Sequence, residues 1–311
     1  MSARPLLIDC DPGQDDAVAL LLALASPAEL NVLGVTTVAG NVPLALTQKN
    51  ARKVCELAGR ADVPVYAGCP RPLLRPLATA EYVHGPSGLD GVDLPEPTLP
   101  LQAQHGVDFL IDSLMTASTS LTVATLGPPT NLAVAIVKEP RILSQIGEVV
   151  LMGGAIGEGN VTASAEFNIY VDPHAAQIVF SSGVKLTMIG LDVTHRVITT
   201  PERLAAIRGL GTRVGGVTAD LLTYYGTYDI ERYSLPGGPL HDPCVIAYLL
   251  QPDLFKSRPL YVEIETHSEL TLGRTVVDLW NSSQREPNVN VVQAVDAEGF
   301  YTLLTERLAR L

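Results

Sequence analysis

Short apolar runs closed by turn residues alternate with longer stretches of helical spacing, and this rhythm sets the fold class before any single residue does. Leu6–Cys10, Val32–Val38, Leu121–Leu126, Val149–Met152 and Lys185–Leu191 have the length and bulk of buried strands. Asp15–Leu24, Leu44–Ala58, Val107–Ala117, Asn131–Val137, His174–Ser181 and Pro201–Arg208 read as helices. Asp172-Pro173 and Thr200-Pro201 each supply a polar cap followed by proline at the first helical position. Strands that alternate with helices join most simply through right-handed crossovers. The pattern therefore predicts an α/β fold with an open, mostly parallel, doubly wound sheet.

The later part alternates less regularly, through Val217–Tyr228, Cys244–Leu250, Leu260–Glu265, Val276–Trp280, Val289–Val295 and Glu298–Arg310, and an antiparallel strand pair is expected there. Pro70–Pro100 and Tyr224–Pro239, dense in glycine, proline, aromatic and polar residues, read as long loops of the kind that serve binding or closure. With no internal repeat and no Gly/Ser-rich linker, one domain over 1–311 is expected.

Composition narrows the class. A chain of 311 residues, 47% hydrophobic, is long enough to bury roughly three quarters of its unfolded surface without staples. Cys10, Cys55, Cys69 and Cys244 form neither a CxxC pair nor a zinc spacing, which suits a reducing compartment and excludes a small disulfide scaffold. The longest apolar run, Ala17 to Ala25, falls well short of a membrane span, and Met1–Pro5 leads straight into a strand, so a cytoplasmic protein without membrane partners is expected. A net charge of −12 with no basic block argues against a nucleic-acid partner.

The chemistry is concentrated where the first strand ends. After Leu6-Leu7-Ile8 come Asp9-Cys10-Asp11-Pro12-Gly13-Gln14-Asp15-Asp16, then a helix. Strand alternation puts Asp9 and Asp11 on one side, while Asp15 and Asp16 fall in the first helical turn, where the macrodipole favours negative charge. The dipole absorbs only part of the repulsion among four acids, so a capped helix start with solvated carboxylates explains the cluster poorly. A hard divalent cation with oxygen ligands, Ca²⁺ or Mg²⁺, explains it better, since no cysteine or histidine suited to zinc stands among the acids. An EF-hand would need glycine and glutamate where Gln14 and Leu20 stand. An aspartyl-phosphate phosphotransferase would leave Asp15 and Asp16 unexplained.

At these residues the chain resembles the inosine-uridine nucleoside hydrolase family, whose DxDxGxDD hallmark is matched by Asp9, Asp11, Gly13, Asp15 and Asp16. The resemblance continues through Thr36–Val42, Leu126–Ala133, Met152-Gly153-Gly154, Ala165–Pro173 and His241-Asp242-Pro243. Each block follows a predicted strand or opens a helix. In open α/β sheets ligands bind beyond the carboxyl ends of the strands, so the blocks should line one crevice.

The resemblance implies Ca²⁺ held by Asp11, Asp16, Asp242 and the backbone carbonyl of Leu126, with the attacking water and two substrate hydroxyls completing the shell. It implies ribose contacts from Asp15, Asn160, Glu166 and Asn168, with Asn41 and Met152 nearby. Glu166 and Asn168, two apart, would share a side if the segment is extended. The implied reaction is hydrolysis of the N-glycosidic bond of purine or pyrimidine ribonucleosides to ribose and a free base, in nucleoside salvage. In it Asp11 takes the proton from water and His241 serves as acid for the leaving base. His84 looks like the second histidine found in the purine/pyrimidine-accepting or pyrimidine-preferring branches, and Tyr228 and Tyr233, with Tyr224, Tyr225 and Asp229, offer surfaces for a purine or pyrimidine base. Asp9 stands behind the ligands, and His195 receives no role. A homodimer or homotetramer is implied by resemblance alone. Against this stand a phosphotransferase, which lacks a lysine in the matched blocks, and a binding protein that does not turn over, which Asp11 and His241 argue against.

Overall fold

The computed structural model describes residues 3–233 and 235–311, with the side chain of Tyr233 outside the described part. In chain order the strands are β1 Arg4–Cys10, β2 Leu30–Thr37, β3 Val65–Ala67, β4 Leu101–Gln102, β5 Leu121–Thr125, β6 Ile146–Met152, β7 Leu186–Ile189, β8 Ile198–Thr199, β9 Gly238–Pro239, β10 Phe255–Ile264, β11 Thr275–Asp278 and β12 Val289–Val295. Ten of them form one sheet in the order β11-β10-β12-β7-β6-β5-β1-β2-β3-β4, and β8 pairs with β9 apart from it. From β12 to β4 every pairing is parallel. The chain moves from β1 toward β4, returns to β5 on the other side of β1, and continues outward. The strand order thus reverses between β1 and β5, and the carboxyl ends splay a crevice at that point.

β1 is central because its side chains are apolar on both faces. Leu6, Ile8 and Cys10 enter one core, which includes the helices Gln14–Leu24, Pro243–Leu250 and Ala297–Leu308. Leu7 enters the other, with the helices Gly106–Thr116, Thr130–Lys138 and Pro173–Phe180. All of Gln14–Leu24 is buried, which a helix tolerates only when it is apolar nearly all round, as Ala17–Leu24 is. Its polar first turn is buried too, and that makes it the unusual part.

The α/β expectation holds, with four differences. β3 and β4, three and two residues long, are too short to leave a periodic signal. The antiparallel part is larger than one pair, because β10 runs antiparallel to both β11 and β12. Within the expected loop Pro70–Pro100, Glu81–His84 forms one helical turn. The expected loop Tyr224–Pro239 begins instead as helix, since one helix runs Arg213–Tyr233. Gly226, which argued for a loop, serves a close approach there: a Cβ on it would meet Gly238 N at 3.1 Å. Among the described residues no helix is long and apolar enough to cross a membrane.

Candidate active site

The turn after β1 binds its own acids into a frame. Asp16 reaches back one turn: its Oδ2 accepts from Gly13 N at 3.0 Å and its Oδ1 from Asp11 N at 3.1 Å. Asn41, just beyond β2, donates from its backbone N to Asp11 Oδ2 (2.7 Å), and from Nδ2 to Asp16 Oδ2 (3.0 Å) and Asp11 O (3.2 Å). The donors of Asn41 are thus spent on positioning the carboxylates. Asp11 itself slots between two glycines. A Cβ on Gly40 would lie 2.1 Å from its Oδ2, and one on Gly127 2.2 Å from its Oδ1, so both positions must stay bare for the carboxylate to fit.

Asp242 immediately precedes the helix Pro243–Leu250, yet its side chain does not cap it. With Asp15 and Asp16 it forms a buried triad whose ligand oxygens all lie within 4.8 Å of one another. Asp15, expected at the ribose, thus joins this triad, and Asp11 lies outside it. Burial drives the carboxyls of Asp11, Asp15, Asp16 and Asp242 upward from the ordinary range, Asp15 to about 7. For Asp11, Asp15 and Asp242 the charges of neighbouring aspartates add to that rise. An unneutralised cluster of this kind is unfavourable, and a cation relieves it.

Facing the acids stands a wall of carboxamides and carbonyls. Glu166 is the N-cap of the helix Phe167–Val171, accepting from Asn168 N (2.9 Å) and Ile169 N (3.1 Å), with Gly154 N at 3.0 Å as a third donor. The segment is therefore a helix start and not extended, and Glu166 and Asn168 meet the pocket through the cap, not through strand alternation. Burial raises the Glu166 carboxyl to about 7 despite those three hydrogen bonds. Asn160 Oδ1 accepts from Phe167 N at 2.9 Å, tying the glycine-rich turn to the same helix. Asn168 Nδ2 donates to Leu126 O at 2.6 Å and Met152 O at 3.2 Å, the carbonyls closing β5 and β6. A carbonyl has two lone pairs, so Leu126 O keeps one for another partner.

The opposite end is aromatic. Tyr225 is buried, its hydroxyl 3.3 Å from Asp15 Oδ2, with its ring stacked on His84 at 5.4 Å and edge-on to His241 at 6.4 Å. Tyr228 lies against Tyr82, ring centroids 5.4 Å apart, and Arg232 reaches its hydroxyl. His241 Nδ1 is 2.7 Å from Thr194 Oγ1, and the ring of His195 stands 5.6 Å away. Burial holds His241 well below the ordinary histidine range and takes His84 down to about 3. Acids, amides and aromatics enclose one cleft of about 630 Å³, open solvent at its mouth included.

Asp11, Asp15, Asn41, His84, Leu126, Met152, Asn160, Glu166, Asn168, Tyr228, His241 and Asp242 all line that cleft. Asp16 stands behind its floor. Tyr233 was expected at the base, and its side chain lies outside the described residues. Asp9 is buried away from the cleft, its Oδ1 accepting from Thr36 Oγ1 (2.6 Å) and Asn131 Nδ2 (2.7 Å) while its Oδ2 has no hydrogen-bond partner among the described residues. Gln14, Thr194, Gly40 and Gly127 escaped the sequence reading because the groups they hold are distant along the chain. Gly13, which a Cβ would drive to 2.3 Å from His84 Nδ1, carries its signal inside the acidic motif.

Fold and cleft together define an α/β enzyme for a small polar molecule that has an aromatic part. The family model of inosine-uridine preferring nucleoside hydrolases matches residues 6–302. A pyrimidine-specific ribonucleoside hydrolase of Photobacterium profundum is 47% identical over 308 residues, 99% of each chain. An uncharacterized protein of Schizosaccharomyces pombe is 49% identical over 308 residues, 98% of this chain and 99% of its own. Among solved structures, a purine-preferring ribonucleoside hydrolase from Gardnerella vaginalis superposes with a TM-score of 0.92 at 34% identity, covering 98% of both chains. The chain belongs to the inosine-uridine preferring nucleoside hydrolase family. It is a nucleoside hydrolase, a glycosidase acting on the N-glycosyl bond of ribonucleosides.

Proposed function

We propose that the enzyme hydrolyses pyrimidine ribonucleosides, uridine and cytidine foremost, using one Ca²⁺ ion, as a single-domain protein. The observation that carries the reading is the convergence of four buried carboxylates and an amide wall on one cleft, with aromatic rings at its other end. The 47% identity to a pyrimidine-specific enzyme, against 34% to a purine-preferring one, supports the choice of base.

The donor set fits a hard cation: oxygens only, buried, and raised toward their neutral forms by burial. Asp11, Asp16, Asp242 and Leu126 O would hold it, with Asp15 at its edge. When bound, Ca²⁺ supplies charge compensation, a grip on vicinal hydroxyls and a lowered pKa for water.

This chain's own groups do the rest. Asn41 N occupies Asp11 Oδ2, so Oδ1 is the oxygen that takes the proton of the attacking water. Asp15, Asn160, Glu166 and Asn168 orient the ribose hydroxyls, with Glu166 and Asn160 themselves fixed by backbone donors. His241 faces the base. Thr194 Oγ1 can donate to His241 Nδ1, and in that arrangement the ring hydrogen sits on Nε2, where it hydrogen-bonds the departing base and stabilises the negative charge building there. On this reading the enzyme serves nucleoside salvage in the cytoplasm, and the family resemblance supports a homodimer or homotetramer.

Incubation with uridine, cytidine and inosine, followed by assay of reducing sugar, tests the reading. Release of ribose from the pyrimidine nucleosides at kcat/KM well above inosine is expected. A clear preference for inosine would overturn the base assignment, and release from none would overturn catalysis of this kind.

A further inference from the structure

The ring of His84 is held by a residue with no other evident task. Gln14 Nε2 lies 3.0 Å from His84 O and 3.1 Å from Asp90 O. Both partners are carbonyl oxygens, which only accept, so the amide nitrogen must face them. That turns Gln14 Oε1 toward the imidazole, where it lies 2.6 Å from Nδ1. An amide oxygen also only accepts, and the ring hydrogen therefore sits on Nδ1. Burial keeps His84 neutral, and a neutral imidazole carries one ring hydrogen, which leaves a bare lone pair on Nε2. Among the described residues Nε2 has no hydrogen-bond partner, and the ring lines the cleft beside Tyr225. The arrangement is rigid: Gln14 is fully buried at the start of the central helix, and bare Gly13 lets the ring close on it.

His241 makes an instructive contrast. Its Nδ1 meets a hydroxyl, Thr194 Oγ1, which can donate or accept, so its tautomer is not forced. The two buried histidines at the aromatic end therefore differ in kind.

We propose that Gln14 is a positioning residue that locks His84 as the Nδ1–H tautomer, making His84 Nε2 a standing hydrogen-bond acceptor that selects nucleobases with an N–H group on their edge. The proposal rests on the hydrolase reading above and adds to it a reader of the base. Uracil meets the requirement with its ring N3–H and cytosine with its amino group. His84 is thereby excluded as proton donor to the leaving base, which leaves that task to His241.

Two measurements decide. Long-range ¹⁵N–¹H correlation on histidine-labelled wild type reads the tautomer without any turnover. The expected result is a pyrrole-like Nδ1 and a pyridine-like Nε2 for His84, and the reverse pattern or an imidazolium overturns the proposal. The second compares uridine with 3-methyluridine, which lacks the N3–H. Loss of one hydrogen bond at a buried acceptor should lower wild-type kcat/KM at least about tenfold. In Gln14→Met that preference should fall toward unity, with mixed His84 tautomers. Equal cleavage of the two substrates by wild type overturns the proposal. So does an undiminished preference in folded Gln14→Met, which would make the effect one of methyl bulk. If Gln14→Met fails to fold, the wild-type tautomer and substrate ratio decide alone. Wild type inactive on every ribonucleoside would sink the hydrolase reading, while the spectrum would still decide the tautomer.

Discussion

Asp11 shows how much a single side chain depends on what surrounds it. One oxygen is fixed by Asn41 N, the carboxylate passes between Gly40 and Gly127, and burial raises its proton affinity. An asparagine fits the same slot and can still accept from Asn41, so Asp11→Asn should fold. It lacks both the charge for a cation and the capacity to take a proton. General-base catalysis is worth about 10²–10⁴-fold, and kcat should fall by at least that much. Steady-state kinetics beside calorimetric Ca²⁺ binding checks this, and near-normal turnover would remove Asp11 from the chemistry. His241 separates the other half of the reaction. His241→Ala should cripple uridine cleavage yet largely spare a nitrophenyl riboside, whose leaving group needs little protonation. Equal losses on both substrates would make His241 a positioning residue for ribose or metal.

At the level of elements, the helix start at Glu166 couples structure to pH. Its carboxyl is raised from the ordinary glutamate value to about 7 by burial. A carboxyl with a folded pKa above its unfolded one binds more protons in the native state between the two values, so its contribution to stability is complete near pH 4 and is lost as pH rises through about 7. Denaturant unfolding of wild type and Glu166→Gln at pH 5 and pH 8 tests it. The wild-type protein should lose more stability over that interval than the variant, by up to about 3 kcal/mol. Equal pH dependence in the two proteins would show that the three backbone donors hold Glu166 ionised throughout. Elements also mark what could be read in advance. Leu6–Cys10 announces a central strand because both faces are apolar, and the acids behind it announce a site because nothing in a plain helix start repays their crowding. The helical course of Tyr224–Tyr233 could not be read, since Gly226 and the tyrosines carry loop statistics, while the contact that explains the glycine comes from Gly238. Gln14 and Thr194 were equally silent because the histidines they orient lie 70 and 47 residues away.

For the molecule as a whole, the reversal of strand order between β1 and β5 explains why one cleft collects residues from positions 11 to 242. The first helix brings Asp15 and Asp16 to the crevice floor, and a late helix brings Asp242 to meet them, so the carboxylate cluster joins the two ends of the fold. A cation bound there should tie those parts together as well as serve the reaction. Removing it leaves buried like charges facing one another, relieved only by taking up protons. Stripping the protein with a Ca²⁺-selective chelator should therefore abolish ribose release and lower the melting temperature together, and added Ca²⁺ should restore both. A ligand that binds only the native state stabilises it by about 2.7 kcal/mol at a hundredfold excess over its Kd, so the shift should be several degrees and should grow with Ca²⁺ concentration. The loss on stripping should also be larger at pH 8 than at pH 5, because protonation of the raised carboxyls at lower pH stands in for the missing charge. Calorimetric scans across a Ca²⁺ series at both pH values, run beside the reducing-sugar assay, provide the measurement. Full activity with an unmoved melting temperature in metal-stripped protein would show that the cluster holds no functional cation.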